Sequence, residues 1–167
     1  GCPLMRGRLL LTGATGFVGA RLLEAWLQQT KVPVTLLIRG RHQRPAADRV
    51  RQALAALGCA DTLVADIGSR VHVVEADLAR ARLGLAPADQ AELARSITHV
   101  LHCAAVVRFN VPEAEAERTN VTGTSNVLEL AASWPALERF DYISTTYVAG
   151  ARTGAILEDE FDAGQQH

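Results

Sequence analysis

The chain has 167 residues, of which 49% are hydrophobic and 21% charged, a composition typical of a globular domain with its own core. Its 17 basic and 18 acidic side chains give a net charge of −1, which disfavours a nucleic-acid partner because such partners attract a basic surface. The apolar runs are shorter than the roughly 20 residues that span a bilayer, and three widely spaced cysteines favour reduced thiols, so we expect a cytoplasmic protein without a membrane span.

From residue 8 onward, short apolar runs alternate with stretches of helical periodicity, as is typical of parallel strands joined by crossover helices. In chain order, the patterns predict strand 9–12, helix 16–29, strand 32–38, helix 46–57, strand 71–75, loop 78–85, a helix starting near residue 87, strand 98–103, helix 113–133 and strand 141–145. Right-handed crossovers then predict an α/β fold, a doubly wound parallel sheet in the order 3-2-1-4-5.

A glycine-rich turn, TGATGFVG, joins the first predicted strand to the first predicted helix. Gly13 permits a tight turn, Gly16 lets the backbone approach a diphosphate, and Gly19 lets the helix pack closely on the sheet. The amides of the helix N-terminus attract the diphosphate, and the hydroxyls of Thr12 and Thr15 can add contacts. A turn that binds nothing leaves this spacing unexplained. We therefore expect a Rossmann-type dinucleotide site.

The residue after the second predicted strand selects between the two nicotinamide dinucleotides. An acidic side chain there binds the ribose hydroxyls of NAD, whereas an arginine accommodates the 2′-phosphate of NADP. This chain has Arg39, and no carboxylate lies between Ile38 and Asp48. The sequence therefore favours NADP(H) as the cofactor. Three other nearby arginines are expected on a solvated surface: Arg41, Arg44 and Arg51.

Two further positions have alternative interpretations. Asp77 follows the third predicted strand, where its carboxylate and the amide of Leu78 could bind adenine, or where the carboxylate could cap a turn. His102 and Cys103 could suggest a metal, but no partner stands at ligand spacing, so a place in the strand core is favoured. We expect no metal.

Several segments, in order, resemble the extended short-chain dehydrogenase/reductases, and more narrowly their branch of thioester reductases and fatty acyl-CoA reductases with a male-sterility type NAD-binding domain. The resemblance covers about residues 8–160. It is carried by TGATGFVGARLLEAWL, LLIRG, ADRVRQAL with Arg49, VEADL, HVLHCAAVVRF, RTNVTGTSNVLELA and FDYISTTYVAG.

The resemblance implies a role for each matching residue. It implies a diphosphate loop of Gly13, Thr15, Gly16, Phe17, Val18 and Gly19, a 2′-phosphate clamp of Arg39 and Arg49, and an adenine contact at Asp77 and Leu78. It also implies that Ala104 and Ala105 pack against the nicotinamide ribose and that Asn120 organises the active site, although Asn120 could simply cap or pack. Ser144 and Thr145 match the serine/threonine motif, with Thr145 as the catalytic hydroxyl.

The family's catalytic tyrosine and lysine, four residues apart on one helical face, have no match here. Tyr142 is followed by Thr146 and Tyr147 by Ala151, while the one lysine, Lys31, lies upstream of both. Tyr147 would face the same way as Thr145 if the strand continued, but without the lysine it is rejected as the catalytic tyrosine. The chain is therefore expected to be the amino-terminal part of a reductase. A non-catalytic NADP-binding or sensing module is the alternative.

Three regions and one activity follow from the resemblance. Residues 1–7 are an N-terminal extension or a cloning remnant, residues 8–150 part of the NADP-binding domain, and residues 151–167 a loop leading to an absent catalytic helix and substrate domain. The implied activity is NADPH-dependent reduction of an acyl thioester, held on a carrier protein or coenzyme A, to an aldehyde or alcohol. A sugar-nucleotide epimerase or a ketone/alcohol reductase of the extended family is the runner-up. The 167-residue chain alone is expected to be inactive.

Overall fold

Five parallel strands form one sheet in the described part of the chain, in the order β3-β2-β1-β4-β5. The structure, a computed structural model, describes residues 7–40, 45–59, 65–107, 110–160 and 164. The strands are β1 (Arg8–Thr12), β2 (Val34–Ile38), β3 (Val71–Glu75), β4 (Ile97–His102) and β5 (Arg139–Tyr142). The predicted fold class and strand order are therefore confirmed.

Helices cover both faces of the sheet. The helices are α1 (Phe17–Gln29), α2 (Ala46–Ala56), α3 (Pro87–Ser96), α4 (Glu113–Glu117) and α5 (Gly123–Ala132), and 3₁₀ turns lie at Ala81–Gly84 and Thr146–Ala149. The predicted helix 113–133 is interrupted by a π-helical turn, Arg118–Thr122, which joins α4 to α5. None of the helices described here is long and apolar enough to cross a membrane.

The core consists of two apolar layers, because alternate side chains of a strand point to opposite faces of a sheet. One layer packs Leu9 and Leu11 of β1 against α1 and α2, including Leu23 and Val50. The other packs Leu10 of β1 with side chains of α3, β4 and α5: Leu93, Ile97, Val100, Val127 and Leu130. β1 and β2 are buried on both faces, as is expected of the central strands of a parallel sheet.

The last strand differs from its prediction, 141–145. β5 begins at Arg139 and ends at Tyr142, because its partner β4 ends at His102, which pairs with Tyr142. One more amide, that of Ile143, donates to the His102 carbonyl at 2.9 Å, and the chain then leaves the sheet. The prediction that Thr145 lies in the strand is therefore wrong, and the proposed alignment of Tyr147 along that strand fails with it.

Candidate dinucleotide-binding site

An open cleft of about 310 Å³ lies where the carboxyl ends of the strands meet. The chain leaves β1 toward β2 on one side and returns to β4 on the other, so the cleft lies at the point where the strand order reverses. Ligands of open α/β sheets bind at such a point. The cleft is lined by Gly13, Thr15, Gly16, Leu37, Ile38, Arg39, Ala76, Leu78, Cys103, Ala104, Ala105, Val106 and Thr119.

The glycine-rich turn is pressed against the chain that follows β4. Gly13 has a φ of +75°, and a Cβ there would lie 2.7 Å from the backbone N of Ala104. Any other residue would therefore strain the turn and push the two segments apart. By contrast, a Cβ at Gly16 would meet nothing nearer than 3.4 Å, so open space remains above this residue. That space is where a ligand could approach the backbone.

Gly19 permits a close approach different from the one expected. A Cβ at this position would overlap the carbonyl O of Gly13, so Gly19 lets the first turn of α1 lie close to the preceding glycine turn. No side chain caps the N-terminus of α1 at Gly16. The amides of the first turn are thus available to an anion. Phe17 and Val18 are exposed and do not line the cleft.

Thr12 does not face the cleft, contrary to the suggestion that its hydroxyl adds a diphosphate contact. The residue is fully buried, and its Oγ1 accepts from the amides of Cys103 and Ala104, both at 3.1 Å. The same oxygen lies 2.7 Å from Nδ1 of His102. These three contacts occupy the hydroxyl, so Thr12 ties β1 to the end of β4. Thr15, in contrast, lines the cleft.

Arg39 is at the far end of the cleft, directly after β2, with its side chain 48% exposed. The guanidinium of Arg49, on α2, donates to the backbone carbonyl of Arg39. Arg49 does not line the cleft; its hydrogen bond instead holds the main chain of Arg39 in place. Arg39 Nε lies 4.0 Å from Asp77 Oδ1, a pair too long and too exposed to hold the guanidinium firmly. Arg39 is therefore free to turn toward an anion.

Of the three arginines that were expected on a solvated surface, one lies within the described residues. Arg51 pairs with Asp48 one turn earlier on α2, with both side chains exposed, so its expected surface position is observed. Arg41 and Arg44 lie outside the described residues.

Asp77 and Leu78 follow β3 at the same end of the cleft. Asp77 Oδ1 accepts from the amide of Ala79 at 3.1 Å, so the carboxylate does cap a turn. Leu78 lines the cleft, and its carbonyl accepts from Nδ2 of Asn126 at 2.7 Å. Because a carboxylate has a second oxygen, turn capping and adenine binding are compatible. The adenine contact stays a prediction.

Ala104 and Ala105 line the opposite end of the cleft, after β4. Val106, which follows Ala105, is held by Asn120 of the π-helical turn. Asn120 Oδ1 accepts from the amide of Val106 (2.7 Å), and its Nδ2 donates to the carbonyl of Val106 (3.0 Å). π-helical turns are frequent at functional sites. Asn120 is thus placed behind the cleft wall, while its neighbour Thr119 lines the cleft.

Ser144 and Thr145 are exposed and are not among the residues that line the cleft. Thr145 Oγ1 accepts from the amide of Tyr147 at 3.3 Å, at the start of the 3₁₀ turn. Of the predicted dinucleotide residues, the cleft lining includes Gly13, Thr15, Gly16, Arg39, Leu78, Ala104 and Ala105 but not Phe17, Val18, Gly19, Arg49, Asp77 or Asn120, and it does not include the predicted catalytic hydroxyl. Its role stays a prediction.

His102 ends β4 in the core, as expected, whereas Cys103 follows the strand, is partly buried and lines the cleft. His102 is fully buried, and burial lowers its pKa to about 4. Burial also raises the pKa of the Cys103 thiol to about 11, so this thiol is unreactive. Among the residues that the structure describes, no group of three His, Cys, Asp or Glu side chains is placed to hold a metal ion.

Six residues that line the cleft were not predicted as site residues: Leu37, Ile38, Ala76, Cys103, Val106 and Thr119. They come from strand ends, a loop and a helical turn that meet only in the folded chain. The sequence signal that could have found Val106 is its position directly after the two small residues of HCAAVV.

Comparisons with known proteins agree with this geometry. The sequence profile of an NAD-binding family described as male sterility protein matches residues 11–167. Fatty acyl-CoA reductase 2 of Mus musculus is 32% identical over 144 residues, which are 83% of this chain and 28% of that protein.

Solved structures of reductase domains share the fold. The terminal R domain from the myxalamid PKS-NRPS biosynthetic pathway superposes with a TM-score of 0.74 and 30% identity, over 87% of this chain and 36% of that one. A thiolation-reductase di-domain from an archaeal non-ribosomal peptide synthetase gives a TM-score of 0.73 and 26% identity, over 88% of this chain and 30% of that one. The chain thus spans about a third of the length of these proteins.

Proposed function

The chain belongs to the male sterility protein family of NAD-binding domains, within the extended short-chain dehydrogenase/reductases, and from this membership we propose that it is the NADP(H)-binding part of an acyl-thioester reductase. A fatty acyl-CoA reductase and the reductase domains of peptide synthetases are among its relatives, so the intact protein is expected to be an oxidoreductase. The observation that carries the proposal is the cleft at the strand switch point, with an uncapped helix N-terminus in its middle and Arg39 at one end.

The residues present fit a dinucleotide. Gly16 leaves open space over the first turn of α1, where main-chain amides can bind the diphosphate. Leu78 lines the cleft after β3, where the adenosine half would bind, and Ala104 and Ala105 lie beyond β1 at the other end. The small alanine side chains leave room for a ribose against the backbone.

Arg39 supports NADP(H) over NAD(H). Its guanidinium stands where an NAD-binding protein would carry a carboxylate for the ribose hydroxyls, and it presents a planar fork of donors suited to a phosphate. Arg49 holds the main chain of Arg39 in place from α2. We therefore assign the 2′-phosphate contact to Arg39, with Arg49 in support.

The relatives support an acyl thioester as substrate. One is named for fatty acyl-CoA, and another is joined to a thiolation domain. When bound, NADPH would supply a hydride to the acyl carbon. The C–S bond would then break, so that the thiol of coenzyme A or of the carrier protein leaves and an aldehyde remains. Thr145 would donate a hydrogen bond to the oxyanion that develops on the carbonyl, since a placed donor is most effective where charge appears. Thr145 would have to move toward the cleft for this, because it is not among the residues that line the cleft.

Cofactor titration of the full-length protein tests the assignment. We expect NADPH to bind more tightly than NADH, and Arg39→Asp to reduce NADPH affinity by at least about tenfold, since one charge-assisted phosphate contact contributes about 1.5–3 kcal/mol. NADH affinity should stay the same or rise, because an acidic side chain at this position can bind the ribose hydroxyls of NAD. Arg51→Asp is the matched control, because Arg51 is an exposed arginine on the neighbouring helix and lies outside the cleft. Equal affinity for both cofactors, unchanged by Arg39→Asp, would overturn the NADP(H) assignment.

The substrate class needs a separate assay. The full-length protein should oxidise NADPH only when an acyl-CoA or an acyl thioester on a carrier protein is added, and an aldehyde or alcohol should accumulate. Turnover of a sugar nucleotide or a simple ketone, with no reaction of either thioester, would favour the other branches of the extended family.

A further inference from the structure

We propose that His102 is a positioning residue for the cofactor: through the Thr12 hydroxyl it fixes the main-chain amides of Cys103 and Ala104, and with them the half of the cleft that receives the nicotinamide ribose. This inference rests on the proposed function for the identity of the ligand. The hydrogen bonds themselves belong to the folded chain.

The donors and acceptors around the Thr12 hydroxyl determine the direction of each hydrogen bond there. The amides of Cys103 and Ala104 both donate to Thr12 Oγ1, at 3.1 Å each. A hydroxyl oxygen has two lone pairs, so both are engaged, and its single proton is left for His102 Nδ1 at 2.7 Å. Nδ1 must therefore be an acceptor.

The second ring nitrogen completes the arrangement. With Nδ1 unprotonated, a neutral imidazole carries its proton on Nε2, which lies 2.9 Å from Thr124 Oγ1 on α5. Neutrality agrees with the burial of the ring. His102 thus connects the end of β1 with the first turn of α5, and both ring nitrogens are satisfied in one tautomer only.

Aromatic rings close the remaining side of His102. Tyr142, on β5, stacks on the imidazole with ring centroids 5.5 Å apart and an interplanar angle of 25°, and Phe140 lies 6.5 Å away. The imidazole beside these rings is fully buried, so the acceptor for Thr12 is shielded from solvent. Loss of Nδ1 would release the Thr12 hydroxyl to rotate.

Rotation of the Thr12 hydroxyl would displace part of the cleft wall. The two amides that Thr12 holds begin the segment that lines the cleft from Cys103 to Val106. The Gly13 turn already touches this segment so closely that a Cβ would lie 2.7 Å from the Ala104 amide nitrogen. A small displacement therefore changes the space between the glycine turn and the wall. Arg39 and Leu78 lie beyond β1, on the opposite side of the sheet order, and should not be affected.

Two matched substitutions in the full-length protein test the proposal. His102→Asn and His102→Leu have nearly the same size and both lose the bond to Thr124, but only asparagine keeps an acceptor near the Nδ1 position. We expect His102→Leu to weaken NADPH binding roughly tenfold and His102→Asn by no more than about threefold, the difference made by one buried hydrogen bond. Adenosine 2′,5′-bisphosphate, which lacks the nicotinamide half, should bind the wild type and both variants equally well.

The outcomes separate positioning from general stability. Equal NADPH affinity in the two variants, or a proportional loss of both ligands, would overturn the proposal. Wild-type protein that binds neither ligand would instead overturn the proposed function. Nitrogen NMR of labelled histidine provides a test that needs no variant: an unprotonated Nδ1 and a protonated Nε2 are expected for His102, and the reverse tautomer would contradict the network even if His102→Leu failed to fold.

Discussion

At the residue scale, the three glycines of the TGATGFVG turn have different physical reasons to be glycine. Gly13 has a positive φ and no room for a Cβ. A Cβ at Gly19 would collide with the Gly13 carbonyl, so the fold requires glycine at both positions. Gly16 has neither restriction. Its small size is therefore explained by the proposed approach of a diphosphate to the backbone, not by the turn itself.

A buried neutral histidine also makes stability depend on pH. The folded chain lowers the pKa of His102 from 6.5 to about 4 because burial penalises the charged form. Between these values the unfolded chain binds more protons, so the contribution of His102 is complete above about pH 6.5 and is lost as the pH falls toward 4. A shift of this size corresponds to about 3 kcal/mol of unfolding free energy, at about 1.4 kcal/mol per pKa unit.

Urea unfolding at pH 7.5 and at pH near 4.5 measures this contribution. The wild type should lose more unfolding free energy than His102→Asn over the interval, because asparagine does not titrate. The difference between the two proteins isolates His102 from all other groups. Parallel losses in both would show that this imidazole does not control the acid response.

At the scale of elements, α1 depends on a side chain from another part of the chain. Its last turn contains no basic residue, yet the guanidinium of Arg70, just before β3, donates to the carbonyls of Thr30 (2.6 Å) and Leu27 (3.2 Å). These carbonyls have no intrahelical partner, and a cation there also complements the negative end of the helix dipole. Arg70 thus fastens the end of α1 to the entry of β3.

Arg70→Met should therefore lower the free energy of unfolding by about 1–2 kcal/mol, since it keeps the apolar stem and removes the donors. Arg51→Met is the control, because its ion pair with Asp48 is exposed on both sides and should change stability by no more than about 0.5 kcal/mol. Thermal or urea unfolding of the three proteins measures both. Equal stability of the two variants would mean that the helix end is satisfied by water instead.

At the scale of the whole molecule, the sheet contains the cleft, but its edge strand β5 leaves apolar side chains exposed. The edge strand β5 ends in an exposed aromatic residue, Tyr142, and the exposed apolar side chains of Ile143, Tyr147 and Val148 follow it. Exposed strand edges and apolar patches favour association with other chains. The longer relatives have two thirds of their length beyond the matched part.

We therefore expect the isolated 167-residue chain to bind NADP(H) weakly or not at all, to turn over no thioester, and to self-associate. Light scattering after size-exclusion chromatography measures the association, and NADPH oxidation with acyl-CoA measures turnover. The full-length protein, assayed alongside, is the control. Reductase activity in the isolated chain would refute the expectation, because it would place a complete catalytic site within these residues.

The sequence by itself determined the sheet order and the position of the cleft. Apolar periodicity locates the strands, crossovers have one hand, and a glycine turn after the first strand can only lie at the carboxyl edge. Arg39 and Leu78 could be placed for the same reason, since Arg39 directly follows β2 and Leu78 lies shortly after β3.

Only the tertiary structure decided the end of β5 and the partners of Thr12. β5 stops where β4 stops, and the pairing of Thr12 with His102 joins residues 90 positions apart. Local sequence patterns specify which residues form a strand, but not which residue of a neighbouring strand lies opposite. Register and buried polar contacts arise when the strands come together, and they therefore set the details of the site.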